Sequence, residues 1–162
     1  MKDLMLRAAE KDDTQLLLSL IRELAEAEAF PFPVTVTEGD LRQSLFGANP
    51  AAEAVLGFVS DQPVGFAVFY ETFATTTGRR GLHLDDLFVR SEHQGKGFGR
   101  ALLRYIARVA KDRGCARFEW WCLRTNDNAI RFYQAMGARA LEELLVFRMD
   151  EESLSKLAAS AI

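Results

Sequence analysis

The run Gln94-Gly95-Lys96-Gly97-Phe98-Gly99 constrains this chain more than any other, because three alternating glycines stand between a strand-like stretch and an amphipathic one. Upstream, His83-Leu84-Asp85-Asp86-Leu87-Phe88-Val89 reads as a strand. Downstream, Arg100 to Ala110 places apolar residues at helical spacing. The glycines therefore mark a helix start. Such a start presents unpaired N–H groups and about half a positive charge, and the missing Cβ lets an anionic oxygen approach to hydrogen-bonding distance. Competing readings exist. A P-loop fails, since no hydroxyl residue follows Lys96 and no glycine stands at the required upstream position. A dinucleotide fingerprint stays open as an alternative, although the third glycine comes one residue early, Arg90 to Gln94 intervene, and Glu119 falls inside the apolar run Phe118 to Leu123 rather than clearly at its end. A plain flexible turn is the third possibility.

Charge narrows the choice. From Arg90 to Arg117 the chain carries Arg90, Lys96, Arg100, Arg104, Arg108, Lys111, Arg113 and Arg117 against only Glu92 and Asp112, although its net charge is −3. Either these form a solvated helix face, or Arg90, Lys96 and Arg100, nearest the glycines, help hold phosphates. Nucleic acid fits poorly, because the basic excess is confined and no RNA- or DNA-binding module pattern accompanies it. The 162 residues, 49% apolar, are enough for one core and one domain spanning 1–162. Cys115 and Cys122, in a chain without a signal-peptide pattern, read as plain buried thiols of a cytoplasmic protein. Apolar runs such as Leu16-Leu17-Leu18 are far short of a membrane span. His83 and His93 lack a Cys/His cluster, so no metal site is expected.

Periodicity and caps give the order of elements. A strand at Met5 to Arg7 precedes a helix from Asp12 or Asp13 to Glu28, ended by Pro31 and Pro33; Phe30 to Val36 is a loop. Thr37-Glu38-Gly39-Asp40 opens a second helix that stops at Gly47. Glu53 to Val59 and Val64 to Phe73 form a hairpin through residues 60–63. The central unit is a strand over 82–89, the glycine loop, a helix over 98–113 and a strand over 116–123, closed by Gly114. Asn126 to Met136 is a helix stopped by Gly137, and short strands near Ala138 to Leu141 and Leu144 to Met149 finish the sheet.

Three segments together carry a resemblance: Asp85-Asp86-Leu87-Phe88-Val89-Arg90, Gln94 to Gly99, and Asn126-Asp127-Asn128-Ala129-Ile130-Arg131-Phe132-Tyr133-Gln134-Ala135-Met136-Gly137-Ala138. They resemble the acetyl-CoA motif and the downstream motif of the GNAT N-acetyltransferases. The strand Leu84 to Val89 and the strand Arg117-Phe118-Glu119-Trp120-Trp121 are most similar to the diamine, or spermidine/spermine, branch. The resemblance runs from Leu6 to about Met149. It implies a mixed α/β fold, a twisted and mostly antiparallel sheet of about six to seven strands flanked by about four helices. It also implies acetyl-CoA as cosubstrate, a small amine as partner, no membrane or nucleic acid, and a homodimer.

The resemblance assigns residues as well. Leu87, Phe88 and Val89 would lie along the pantetheine arm, one amide polarising the thioester carbonyl. Gln94, Gly95, Lys96, Gly97, Phe98, Gly99 and Arg100 would hold the pyrophosphate. Asn126 caps its helix or reaches the cofactor, with Asn128 and Ala129 beside it, and Tyr133 would protonate the departing thiolate. Glu28, Asp85, Glu119, Trp120 and Glu142 are the expected substrate-binding set. Strand alternation lets only one of Asp85 and Asp86, and one of Trp120 and Trp121, face the acceptor; Asp85 is the favoured acid. Asp85 or Glu119, acting through water, is the candidate base. Three departures bear on the acceptor: Asp85 stands where a glutamate is usual, Ala27 replaces an aromatic, and Phe30-Pro31-Phe32-Pro33 rebuilds a loop. They suit a lysine-like or thialysine-like amine or a short diamine. A protein or peptide acceptor, or an acyl-CoA-binding regulator without turnover, are the alternatives.

Overall fold

In a computed structural model of the chain, residues 4–29 and 33–160 are described. They fall into two compact units, divided between Cys122 and Leu123. The first holds β1 (Leu4–Ala8), α1 (Thr14–Ala27), α2 (Glu38–Phe46), β2 (Glu53–Val59), β3 (Gln62–Ala74), β4 (Arg79–Val89), α3 (Phe98–Asp112) and β5 (Arg117–Trp120). The second holds α4 (Asp127–Ala135) and α5 (Glu151–Ala159).

The five strands form one sheet in the order β1-β2-β3-β4-β5. Every pairing is antiparallel except β4 with β5, which α3 connects as a crossover. The β2–β3 hairpin is tight because Ser60 and Asp61 both take positive φ, 47° and 62°, the backbone twist that two-residue hairpin turns require. On one face Leu17, Leu20 and Leu24 of α1 and Leu41 and Leu45 of α2 pack against Leu56, Phe66, Val68 and Phe88. Fully burying one such leucine contributes roughly 1.5–3 kcal/mol. The alternating residues Val55, Ala67, Leu82 and Leu84 are buried on the other face, where α3 packs on β3 and β4 through Leu102, Leu103 and Ile106. Thr37 caps α2, accepting from the Asp40 N–H at 3.2 Å while Asp40 accepts from the Thr37 N–H at 2.9 Å.

Three expectations change. The strand expected over 116–123 pairs only from Arg117 to Trp120. Residues 138–149 form no strand among the described residues, so the sheet has five strands, not six or seven. Their apolar pattern stays exposed, Phe147 at 89%, because strand propensity makes a strand only where a partner supplies the ladder. A fifth helix, α5, follows instead; Asp150 caps it by accepting the Ser153 N–H at 2.8 Å. Of the loop Phe30 to Val36, residues 30–32 lie outside the described residues.

Candidate active site

Helix α3 begins where the glycines stand. Gly95 (φ 72°) and Gly97 (φ 87°) are left-handed, and Gly97 is the residue from which α3 departs. Ala101 donates to the Gly97 carbonyl at 3.0 Å, so the amides of Phe98, Gly99 and Arg100 have no acceptor within the helix. A Cβ on Gly95 would meet nothing within 4 Å, so the turn opens to its surroundings. Phe98 is the anchor rather than a ligand group: its ring is buried and stacks on His93 at 5.8 Å. Gln94 fastens the turn back to the sheet, its Nε2 donating to the Val89 carbonyl at 2.9 Å.

The basic residues divide. Arg90 does not serve the turn as expected, since its guanidinium donates to both oxygens of Glu23 (2.8 and 2.7 Å) and to the Pro63 carbonyl (2.7 Å). Arg113 is committed to Glu53 and Glu71, and Arg117 to Glu119 at 2.9 Å. Lys96 and Arg100 are exposed and form no ion pair among the described residues. Arg104, Arg108 and Lys111 along α3 are likewise exposed without an ion pair, and of these residues Lys96 and Arg100 stand nearest the glycines.

Beside this turn the sheet opens. Strand β4 pairs with β3 as far as Val89, but its ladder with β5 ends at Leu84–Trp120. Leu87, Phe88 and Val89 therefore present one backbone edge with no strand partner among the described residues. An extended ligand carrying amides could complete that edge, as a peptide does in strand addition.

A bulge sits where the two strands part. Phe69 pairs with Leu84 and Val68 with Asp86, which leaves Asp85 as an extra residue. The alternation rule is broken there, and the expectation that only one of the two aspartates addresses the site is corrected. Asp86 shares the face of Val68 and Phe88, and its half-buried carboxyl is lifted to about 7 by desolvation, with the charges of Asp85 and Glu28 adding. Burial also raises the Glu28 carboxyl. Glu119 lies opposite His83 on the same face. These carboxyls form an acidic patch on one sheet face, and no cationic side chain is paired to Asp86 among the described residues. The sequence offered both aspartates and favoured Asp85, because a bulge leaves no signal in an Asp-Asp pair.

The tryptophans also fall out otherwise than expected. Trp120 pairs with Leu84 and lies 5.0 Å from the Phe118 ring, on the face opposite Glu119. Trp121 meets the His83 ring instead and is 57% exposed, so it belongs with the acids.

In the second unit Asn126 caps α4, its Oδ1 accepting the Ala129 N–H at 3.1 Å, and Asn128 accepts from Arg131 at 2.7 Å. Tyr133 is half-buried on α4 with its ring 5.2 Å from Phe132. Gly137, at φ 90°, ends that helix, and Glu142 is exposed.

The pattern of the acetyltransferase (GNAT) family matches residues 21–138. The chain belongs to that family. Its GNAT relatives include the thialysine N-epsilon-acetyltransferase of Sus scrofa, 33% identical over 98% of this chain and 99% of that protein. The spermidine/spermine N(1)-acetyltransferase-like protein 1 of Homo sapiens is 32% identical over 94% of this chain and 23% of that protein. Among solved structures, an integron cassette protein from the mobile metagenome of V. cholerae superposes with a TM-score of 0.78 at 26% identity, covering 98% of this chain and 99% of that one. The chain is accordingly an N-acetyltransferase. No helix among the described residues is long and apolar enough to cross a membrane.

Proposed function

We propose that this GNAT enzyme moves the acetyl group of acetyl-CoA to a primary amine of a diamine, polyamine or lysine-like acceptor. The observation that carries the acceptor class is the acidic wall of Glu28, Asp85 and Asp86, in which the charges of Asp85 and Glu28 bear on the Asp86 carboxyl. Such a wall favours an acceptor bearing more than one ammonium group, and the names of the relatives, thialysine and spermidine/spermine acetyltransferases, point the same way.

The residues fit the cosubstrate. The left-handed turn at Gly95 and Gly97, with the first amides of α3 and the side chains of Lys96 and Arg100, would hold a pyrophosphate. The open edge at Leu87, Phe88 and Val89 would take the amide-bearing arm. Acetyl-CoA supplies an acetyl group activated as a thioester. A main-chain N–H of that edge would donate to the carbonyl oxygen.

Asp86 is our candidate base in place of Asp85 or Glu119. A primary ammonium has a pKa near 10, and a carboxylate raised to about 7 accepts its proton more readily than one near 4. Glu119, held by Arg117 at 2.9 Å, together with Glu28 would fix a second ammonium. Tyr133 carries the phenolic proton that a departing sulfur needs, a role supported by its place in the family motif, seven residues after Asn126.

Purified protein incubated with acetyl-CoA and a panel of amines, followed by thiol release, tests this reading. Turnover of diamines or lysine analogues is expected, and Tyr133→Phe should lower kcat about a hundredfold with acetyl-CoA affinity unchanged. Acetylation of peptides with every small amine ignored would sink it.

A further inference from the structure

The acidic wall contains a titratable group that the transfer chemistry leaves idle. His83 on β4 is only 7% exposed. Its ring stacks on Tyr70 of β3, centroids 5.0 Å apart and planes at 28°, and meets the Trp121 ring edge-on at 4.9 Å and 69°. Tyr70 and Glu119 are its cross-strand partners on either side, so all three side chains share one face.

Burial pulls the imidazole below its ordinary value, while the charges of Asp85 on β4 and Glu119 on β5 push back. The other groups nearby are the Tyr70 phenol, raised by burial and by Asp85, and Arg117, tied to Glu119. Further along the wall stand Asp86, Glu28 and Cys122, the last a thiol that burial and Glu28 push up. At neutral pH the histidine is thus an uncharged ring between two aromatic rings, with carboxylates at its borders.

We propose that Tyr70, His83 and Trp121 form the aromatic wall that receives the uncharged stem of the acceptor, methylene or thioether, and that His83 gates it by its charge. This rests on the amine-acceptor reading above. A site for a molecule with two charged ends needs carboxylates for the ends and a ring surface for the spacer between them. Tyr70 and Trp121 supply the ring surface, and neutral His83, buried between them, adds no charge behind it; the imidazolium would put two N–H donors and a positive charge there. Once protonated, it would satisfy Asp85 and Glu119 from within the protein. It would thereby compete with the acceptor for the same carboxylates. The acceptor KM therefore rises as pH falls through the pKa of His83, independently of any change in the affinity for acetyl-CoA.

The chain has two histidines, so imidazole proton resonances can be followed directly and assigned with His83→Phe. In the presence of CoA, saturating 1,4-diaminobutane should lower the His83 pKa by about one unit, because a ligand that prefers the neutral form must, by linkage, favour it. In steady-state assays with the same diamine, the wild-type KM should rise about tenfold in all as pH falls through the imidazole pKa, the factor that a one-unit shift sets. His83→Phe, which keeps a ring, should remove that limb and leave the one belonging to Asp86, while Trp121→Ala should raise the diamine KM about tenfold at every pH. The acetyl-CoA KM should not move in either variant. An imidazole pKa blind to the diamine, or a His83→Phe profile that superimposes on wild type, overturns the gate while leaving the acceptor class standing. Absence of turnover with any small amine removes both together.

Discussion

The two halves of β4 differ in what their edges do. Residues 81–84 are laddered to β3 on one side and to β5 on the other, and Leu82 and Leu84 are buried. Residues 85–89 keep the β3 ladder alone, begin with a bulge, and carry an acid pushed up to about 7. The first half is laddered on both edges, and the second leaves one edge without a strand partner among the described residues, the edge that the proposed cosubstrate would fill. One strand thus has a half laddered on both edges and a half with one open edge, and the change between the two takes a single residue.

Asp86→Asn bears hardest on the ligand half. It should lower kcat/KM for a diamine about a thousandfold and abolish the acidic limb of the pH–rate profile near pH 7; a limb that survives would break the assignment. The same variant should melt higher at pH 8. The folded pKa lies above the ordinary carboxyl value, so between about pH 4 and 7 the folded state holds a proton that the unfolded state has released. Stability from this group is complete below that window and lost as pH rises through it. The gain in melting temperature should vanish near pH 4.

Gly65→Ala tests the β3 side of the ligand half. Its Cβ would lie 2.3 Å from the Phe88 carbonyl oxygen and 3.1 Å from the Val89 Cα, backbone that cannot swing aside, so a loss of about 2–3 kcal/mol in urea denaturation is expected. Gly81→Ala, in the scaffold half, meets Thr72 Oγ1 at 2.7 Å and the Arg117 Cγ at 2.8 Å, side-chain rather than backbone atoms, so Arg117 must shift against its ion pair with Glu119 and the cost should be about 1–2 kcal/mol, below that at Gly65. Gly95→Ala meets open space and suffers only from its φ of 72°; it should weaken CoA binding in calorimetry by about 1 kcal/mol, roughly fivefold. Equal losses at Gly65 and Gly81 would erase the contrast between the halves.

The helix start at Phe98, the caps at Thr37 and Asn126 and the stop at Gly137 were legible because each depends on a few neighbouring residues. The bulge was not, since it exists only between Val68 and Phe69 on one strand and Leu84 and Asp86 on another. Alternation, applied without it, chose Asp85 alone; along β5 alternation holds, and it sets Trp121, not the expected Trp120, on the Glu119 face. The segment 144–149 shows the converse: strand-like residues with no ladder among the described ones. The Asp150 cap of α5 stood in the sequence as a readable signal, and its acids at 151 and 152 supported it.

The bulge has one more consequence. Leu84 and Asp86 already point to opposite faces, so excising Asp85 would leave every other rung between β3 and β4 where it is. The residue is surplus to assembly of the sheet. A chain shortened by this one position would be expected to fold with a straighter seam, and what it lost in acceptor binding and turnover would measure what the extra residue does for the site.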